Sequence, residues 1–350
     1  MLHKASRKLL CVLAGPLLGL ALAVAGCLAP RDATLGDRPD GYLFCFWNVE
    51  NLFDDHDDHR AGADRDFDRW FAERPQDLQL KLDHLSAALA QMNDGQGPDI
   101  LAVAEVESKR AAQLLADALN KRLPEGTARY EHVLMKELNA GRHIAPAILT
   151  RLPVRGDRTR LHGRQQRILE GHVTVNGHDL VVLASHWTSR VTDKDGSRRC
   201  RYGEQIYGTF RAMYMSNPKV DFLICGDFND PPEARSVTAC LRATGDIGEV
   251  RQGGDPPLLL DLFTDKDPNT FGTEYYKRFY IFDQIVVSPG LLDDEGWTCD
   301  PDSVETFKKG LARPGDRKGQ PWRFGNRRQE FRRGYSDHFP VTVRLRVAGQ

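Results

Sequence analysis

Six stretches of this chain end an apolar, strand-like run on a side chain that can bind a metal or move a proton. Phe44-Cys45-Phe46-Trp47 leads into Asn48, Ile100-Leu101-Ala102-Val103-Ala104 into Glu105, and Val181-Val182-Leu183-Ala184-Ser185 into His186. Phe222-Leu223-Ile224-Cys225 leads into Gly226-Asp227-Phe228-Asn229-Asp230, Tyr280-Ile281-Phe282 precedes Asp283, and Ser336-Asp337-His338-Phe339-Pro340 opens the last strand-like run. A single Asp or Asn in such a place usually caps a helix or starts a turn. Six of them exceed what capping accounts for. Carboxylate and amide oxygens without thiolates suit Mg²⁺, Mn²⁺ or Ca²⁺ rather than structural zinc. A hard cation of this kind neutralises charge on a phosphate and orients the attacked ester. Hydrolysis then needs a carboxylate or imidazole to activate water, and a donor to stabilise charge on the phosphoryl oxygens. The six strand ends offer all of these.

The elements that must position these residues are a mixture of strands and helices. Strand-like runs fall at 42–49, 100–104, 147–149, 171–175, 180–185, 222–225, 281–287 and 341–347. Many are rich in β-branched or aromatic residues and bounded by Gly, Pro, Asp or Asn. Helical patterns at 78–92, 109–123 and 202–215 lie between them; in the first, Leu78, Leu82, Leu85 and Leu89 recur at spacings of three and four. Such a mixture predicts an α/β fold, whose strand ends commonly converge on a shared crevice. With 350 residues, 28% charged residues and a net charge of -1, the chain is not a polyanion binder by bulk charge. Any attraction to phosphates must be local.

Trp47-Asn48-Val49-Glu50-Asn51-Leu52-Phe53, Glu105, Ser185-His186-Trp187, Gly226-Asp227-Phe228-Asn229-Asp230, Asp283-Gln284-Ile285 and Ser336-Asp337-His338-Phe339-Pro340 together resemble, in order, the endonuclease/exonuclease/phosphatase superfamily. The resemblance spans about residues 41–347. It implies a four-layer sandwich, two packed mixed β-sheets flanked by helices, with a site at one edge. It also implies roles: Glu105 holds the metal, with Asn48 and Asp337 beside it. Asp227 activates or orients the attacking water, and Asn229 positions that water or the phosphate. His338 contacts the phosphate and shares a proton network with Asp283, and His186 donates to a phosphoryl oxygen or assists the leaving group. Arg142 and Arg190 are weaker substrate-binding candidates, Arg190 suiting a surface ion pair nearly as well. Asn51 suits a turn as well as a site, Glu50 an outer or surface position, and Asp230 a turn cap before Pro231.

The expected activity is divalent-metal-dependent phosphoester hydrolysis, foremost by a phosphodiesterase or nuclease. The alternative is a phosphatase or a phospholipase of the sphingomyelinase type acting on lipid head groups. A non-catalytic, surface-tethered binding module is disfavoured, because every polar position of the pattern is filled. The expected partners are nucleic acid or a phospholipid head group as substrate and a membrane through an N-terminal anchor, with the chain acting as a monomer.

Residues 1–27 carry a basic start, an apolar run and Leu22-Ala23-Val24-Ala25-Gly26-Cys27. This pattern reads as a secretory signal. It resembles a bacterial lipobox in which Cys27 is lipidated; a plain signal peptide and a membrane anchor are the competing readings. Leu28 after the cysteine leans towards the outer membrane, and residues 28–40 read as a tether. An exported chain meets an oxidising compartment, so a disulfide among Cys200, Cys240 and Cys299 is open, while Cys45 and Cys225 sit in apolar runs that suit buried thiols. Two segments depart from the average. Residues 54–68 are dominated by Asp and read as a solvated acidic loop in preference to a metal cage. Residues 308–333 are rich in Lys and Arg with Trp322, Phe324 and Phe331 interleaved, which suits either a solvated loop or contacts to phosphates and bases.

Overall fold

The structure, a computed structural model, describes residues 41–138, 141–163, 166–328 and 333–348. The expected signal segment 1–27 with Cys27 and the tether 28–40 lie outside the described residues. Among the described residues no helix is long and apolar enough to cross a membrane.

The strands in chain order are β1 (Tyr42–Leu52), β2 (Ile100–Val106), β3 (His132–Met135), β4 (Ala145–Thr150), β5 (Arg160–His162), β6 (Arg167–Val175), β7 (His178–His186), β8 (Asp221–Asp227), β9 (Ala243–Thr244), β10 (Leu259–Asp261), β11 (Glu274–Tyr276), β12 (Arg278–Tyr280), β13 (Asp283–Val287), β14 (Trp297–Thr306) and β15 (Val341–Val347). A mixed six-stranded sheet runs β14-β15-β1-β2-β4-β3, and a mixed seven-stranded sheet runs β5-β6-β7-β8-β13-β10-β9; β11 and β12 form a small hairpin. The four helices used below are α1 (Arg65–Glu73), α2 (Pro75–Leu89), α3 (Lys109–Asn120) and α4 (Ser197–Ser216).

Alternation along the strands decides which face meets which layer. On β1 and β2, Leu43, Cys45, Trp47, Leu101 and Val103 pack outward against Trp70 and Phe71 of α1, Leu82 and Leu85 of α2, and Leu115 and Leu119 of α3. On the second sheet, Val181, Leu183, Phe222 and Ile224 face Tyr202, Ile206 and Phe210 of α4. Residues of the other parity, such as Phe44, Phe46, Val182 and Leu223, are fully buried between the sheets. Each such apolar side chain contributes about 1.5–3 kcal/mol on burial. The sheets approach closely at Gly171, where an added Cβ would lie 2.8 Å from Ile148 and 2.9 Å from Leu134 of the facing sheet. The order helices, sheet, sheet, helix is the expected four-layer α/β sandwich.

The sequence pattern underestimates strand length because several strands end in polar residues: β1 extends through Asn48 to Leu52, and β8 through Asp227. The predicted strand 281–287 begins at Asp283, so Asp283 opens β13 rather than following a strand. Helix α1 carries Phe67, Trp70 and Phe71 at spacings of three and four, a stripe embedded in the acidic segment, and the short strand β3 is fixed by pairing with β4. Cys200 and Cys240 form a disulfide, while Cys45, Cys225 and Cys299 are free and buried.

Candidate functional site

Register brings three of the strand ends side by side. The parallel pairing of β7 with β8 sets His186 against Asp227, and the antiparallel pairing of β13 with β8 sets Asp283 against the same Asp227. The facing sheet supplies Asn48 from β1 and Glu105 from β2. Asn48 crosses between the sheets, its Nδ2 donating to Asp227 Oδ2 at 3.1 Å. His338, just before β15, is fixed through its backbone: Trp47 Nε1 donates to its carbonyl at 2.9 Å, and its N–H donates to Ser336 Oγ at 3.2 Å. Its Nδ1 meets Asp283 Oδ2 at 2.7 Å, and its Nε2 lies 3.9 Å from Asp227 Oδ2.

Left-handed backbone at four non-glycine positions aims the remaining groups. Strict alternation would send Glu105 to the helix-covered face with Leu101 and Val103. A φ of 64° at Glu105 breaks the alternation, Val106 takes the outer face, and the Glu105 carboxylate lies 3.8 Å from His186 Nε2. Glu50 and Asn51 have φ values of 52° and 55°, and Asn51 N–H donates to Glu105 Oε2 at 3.0 Å. Asn229, with φ 52°, donates its N–H to Asp227 Oδ1 at 2.9 Å and its Nδ2 to the Trp187 carbonyl. Such conformations are uncommon outside glycine and cluster at functional sites.

The charges in this cluster are in conflict. Burial pushes the Asp227 carboxyl well above its usual range; Asp283 and Glu274 add to the rise, against His338. Burial disfavours the His338 imidazolium, yet Asp283 and its hydrogen bond outweigh it and hold the group well above an ordinary histidine. His186 is driven well below the ordinary value by burial, then by Arg167, His338 and Arg142, and is neutral. Arg167 donates to His186 Nδ1 at 3.0 Å. Nδ1 is therefore the acceptor, and the ring hydrogen sits on Nε2, 3.6 Å from Asp227 Oδ2.

Arg142 and Arg190 part company. Arg142 lines a cavity beside Glu105 and His186, held by Asp64 at 2.6 Å and Asn51 at 2.5 Å. Arg190 is half exposed, 3.8 Å from Asp230, and does not line that cavity. Asp230 is more than a turn cap: it takes Arg199 Nε at 2.7 Å and Ser236 Oγ at 2.6 Å. Glu50 is buried, not a surface group; it accepts from Arg323 and from the N–H groups of Phe324 and Gly325. Part of segment 54–68 is likewise not solvated, because Asp54, Asp64 and Asp68 are buried and accept backbone N–H bonds at His56, His143, Asp58 and Arg60. In segment 308–333, Phe324 lies in the core and the Arg333 guanidinium stacks over Trp70. These two side chains anchor the loop instead of offering surfaces to a base; Phe331 lies outside the described residues.

The profile of the Endonuclease/Exonuclease/phosphatase family matches residues 43–136 and 147–347. The chain belongs to this family. No curated protein matches it significantly in sequence. Solved structures share the fold at low identity. TDP2 from Caenorhabditis elegans is 16% identical, covering 89% of this chain and 75% of its own, with a TM-score of 0.51. TDP2 from D. rerio complexed with a single-strand DNA product is 14% identical, covering 87% and 99%, with a TM-score of 0.50. Sphingomyelinase C from Streptomyces griseocarneus is 13% identical, covering 87% and 99%, with a TM-score of 0.50.

A divalent metal is general to the Endonuclease/Exonuclease/phosphatase family, and this member's residues fit one. Asp337 is pushed up to about 7 by burial, then by the nearby Glu50 and Glu105 carboxylates, with His338 and Arg323 opposing. Mutual repulsion of crowded carboxylates is what a hard cation relieves. Asp283 Oδ1 is buried without a hydrogen-bond partner. Ligand-type atoms of Asp227, Asp283 and His338 lie within 4.8 Å of one another. Asn48 Oδ1 accepts the Glu50 N–H at 3.1 Å within its own strand, while its Nδ2 bridges to Asp227 of the facing sheet. Three neighbours escaped the sequence reading. Arg167 fixes the His186 tautomer. Arg323 pairs with Glu50 at 2.7 Å and Asp337 at 3.1 Å. Lys81 of α2 is fully buried beside Phe324, its ammonium lowered to about 8 by burial against the pull of Glu50, Asp337 and Glu105. A lysine three residues after Leu78 and four before Leu85, on the core-facing stripe, is the signal that would have found it.

Proposed function

We propose that this family member is a divalent-metal-dependent phosphodiesterase, foremost a nuclease. The observation that carries the reading is the His338–Asp283 pair at 2.7 Å, with Nε2 turned towards Asp227 and Glu105 supplied by the facing sheet. Mg²⁺, or Mn²⁺ or Ca²⁺, held by Glu105 and Asp337 with Asn48 and Glu50 beside them, would supply charge neutralisation on the phosphate. Asp227, oriented by the Asn48 amide and the Asn229 N–H, takes a proton from the attacking water; burial raises its proton affinity, which suits a general base. Asn229 positions the water or the phosphate. The His338 imidazolium, kept charged by Asp283, contacts the phosphate. The Nε2–H of neutral His186 donates to a phosphoryl oxygen as negative charge grows there.

Export and lipid anchoring at Cys27 are part of the proposal, supported by the pattern of residues 1–27 and by the Cys200–Cys240 disulfide, a bond that persists in oxidising compartments. A monomer suffices, since each named site residue comes from one chain. The test is full-length protein with Mg²⁺, with and without EDTA, on plasmid DNA, sphingomyelin and inositol polyphosphates. Chelator-sensitive cleavage of DNA is expected. Turnover of sphingomyelin or an inositol phosphate without DNA cleavage would replace the nuclease reading by the phospholipase or phosphatase one. Metal binding without hydrolysis of any substrate would make the chain a binding module.

A further inference from the structure

The cavity on the His186 side of the site, about 620 Å³, has a lining unlike the rest of this nearly neutral molecule. Arg142, Arg167, Arg198 and Arg201 all line it, and Glu105 is the carboxylate among its lining residues. Two of the arginines are committed, Arg142 to Asp64 and Asn51 and Arg167 to His186. Arg198 and Arg201 are exposed, and among the described residues neither guanidinium has a carboxylate within ion-pairing distance. The turn that carries them is rigid. Asp193 accepts the N–H groups of Arg198 and Arg199, Arg199 is buried against Asp230, and Cys200 is tied to Cys240. Gly203 lets α4 press against that partner segment, where a Cβ would lie 2.6 Å from the Ser236 carbonyl. The N–H groups at the start of α4 are thus occupied, and the guanidinium groups are what remains for a ligand.

Building on the proposed function, we infer that this cavity binds a second phosphate of the substrate, so that the enzyme acts on phosphoesters carrying another phosphate beside the one cleaved. Guanidinium forks match phosphate oxygens in pairs and stay charged at any working pH. Converging charges of one sign in a cleft focus their field on an anion. The same lining disfavours a phosphocholine head group. Its quaternary ammonium would face four arginines, and the aromatic rings of the lining, Trp187 and Tyr202, are buried in the core rather than presented as a cage.

Two measurements on the full-length protein test this. In EDTA, which removes any dependence on turnover, pyrophosphate is expected to bind at least about tenfold more tightly than orthophosphate, and the Arg198→Gln/Arg201→Gln double variant to lose that preference. With Mg²⁺, the double variant is expected to raise KM for a thymidine tetranucleotide by about tenfold with little change in kcat, lowering the ratio of its kcat/KM to that of the single-phosphate diester bis(p-nitrophenyl) phosphate. Equal affinity for the two anions in the wild type, a preference that survives the double substitution, or equal losses on both substrates would overturn the inference. A wild type that binds pyrophosphate preferentially yet hydrolyses neither ester would leave the second-phosphate site standing and remove the proposed activity instead.

Discussion

Among the described residues, two buried clusters of histidines and carboxylates are built on opposite principles. On β5 to β7, Glu170 is buried and receives three donors: Arg160 Nε at 2.8 Å, His162 Nε2 at 2.7 Å and His172 Nε2 at 3.0 Å. His172 places its other nitrogen 2.9 Å from Asp179, which also pairs with Arg158 at 2.7 Å. Acids and bases alternate there. Burial would raise the Glu170 carboxyl, but the hydrogen bonds from His162, His172 and Arg160 outweigh it and hold the group well below the usual range. At the strand-end site the sum comes out the other way: Asp227 and Asp337 are held above theirs, and Asp283 has a buried oxygen without a partner. A satisfied cluster serves stability. One left with surplus negative charge is poised for a cation and a phosphate.

The sharpest way to break this contrast is to exchange the phenotypes. Asp227→Asn or His338→Ala is expected to lower kcat by about 10²–10⁴-fold. The Asp227→Asn urea midpoint should stay close to wild type, because that charge is poorly compensated, whereas His338→Ala should also lose stability by stranding buried Asp283. Single-turnover kinetics beside denaturation curves check both halves; near-normal turnover in either variant would remove its assigned role. Glu170→Gln is expected to do the reverse, costing about 3 kcal/mol of stability by stranding the buried His172 imidazolium while changing kcat/KM by less than about twofold.

A smaller effect sharpens the comparison through ligand linkage. Saturating Mg²⁺, at about a hundredfold over its Kd, should stabilise the wild type by about 2.7 kcal/mol, seen as a raised Tm. Glu105→Gln should abolish that rise and Glu170→Gln should keep it. The smallest effect is in pH. Glu170, depressed in the fold, contributes stability above its unfolded value of about 4.3 and loses it as pH falls; His172, raised in the fold, contributes below about 6.5 and loses it as pH rises through its folded value. The stability gap between wild type and Glu170→Gln should therefore be widest at about pH 5–6 and narrow on both sides, as urea midpoints across pH would report.

Much of the site was legible from sequence because polar residues at the ends of apolar runs are conspicuous. Asn48, Glu105, His186, Asp227, Asp283 and His338 do meet in space. The mixture of strands and helices carried the α/β class, and the four-layer architecture followed from the family resemblance alone. What stayed hidden depends on contacts between distant segments. Glu170 sits inside a strand, and two of its donors, Arg160 and His162, reach it only after β5 pairs with β6. The turn of Glu105 into the site depends on a left-handed residue that no local pattern announces. Phe324 and Arg333 look like a basic, aromatic surface loop until the fold seats them against Trp70.

The central claim is that the strand-end cluster is a metal-dependent hydrolytic centre. It is tested most directly by titrating Mg²⁺ into metal-stripped, full-length protein while following hydrolysis of a phosphodiester, wild type beside Glu105→Gln. Saturable activation of the wild type from a negligible baseline, absent in the variant over the same concentrations, is the expected result. Undiminished hydrolysis by the stripped wild type, or equal activation of both proteins, would contradict the claim.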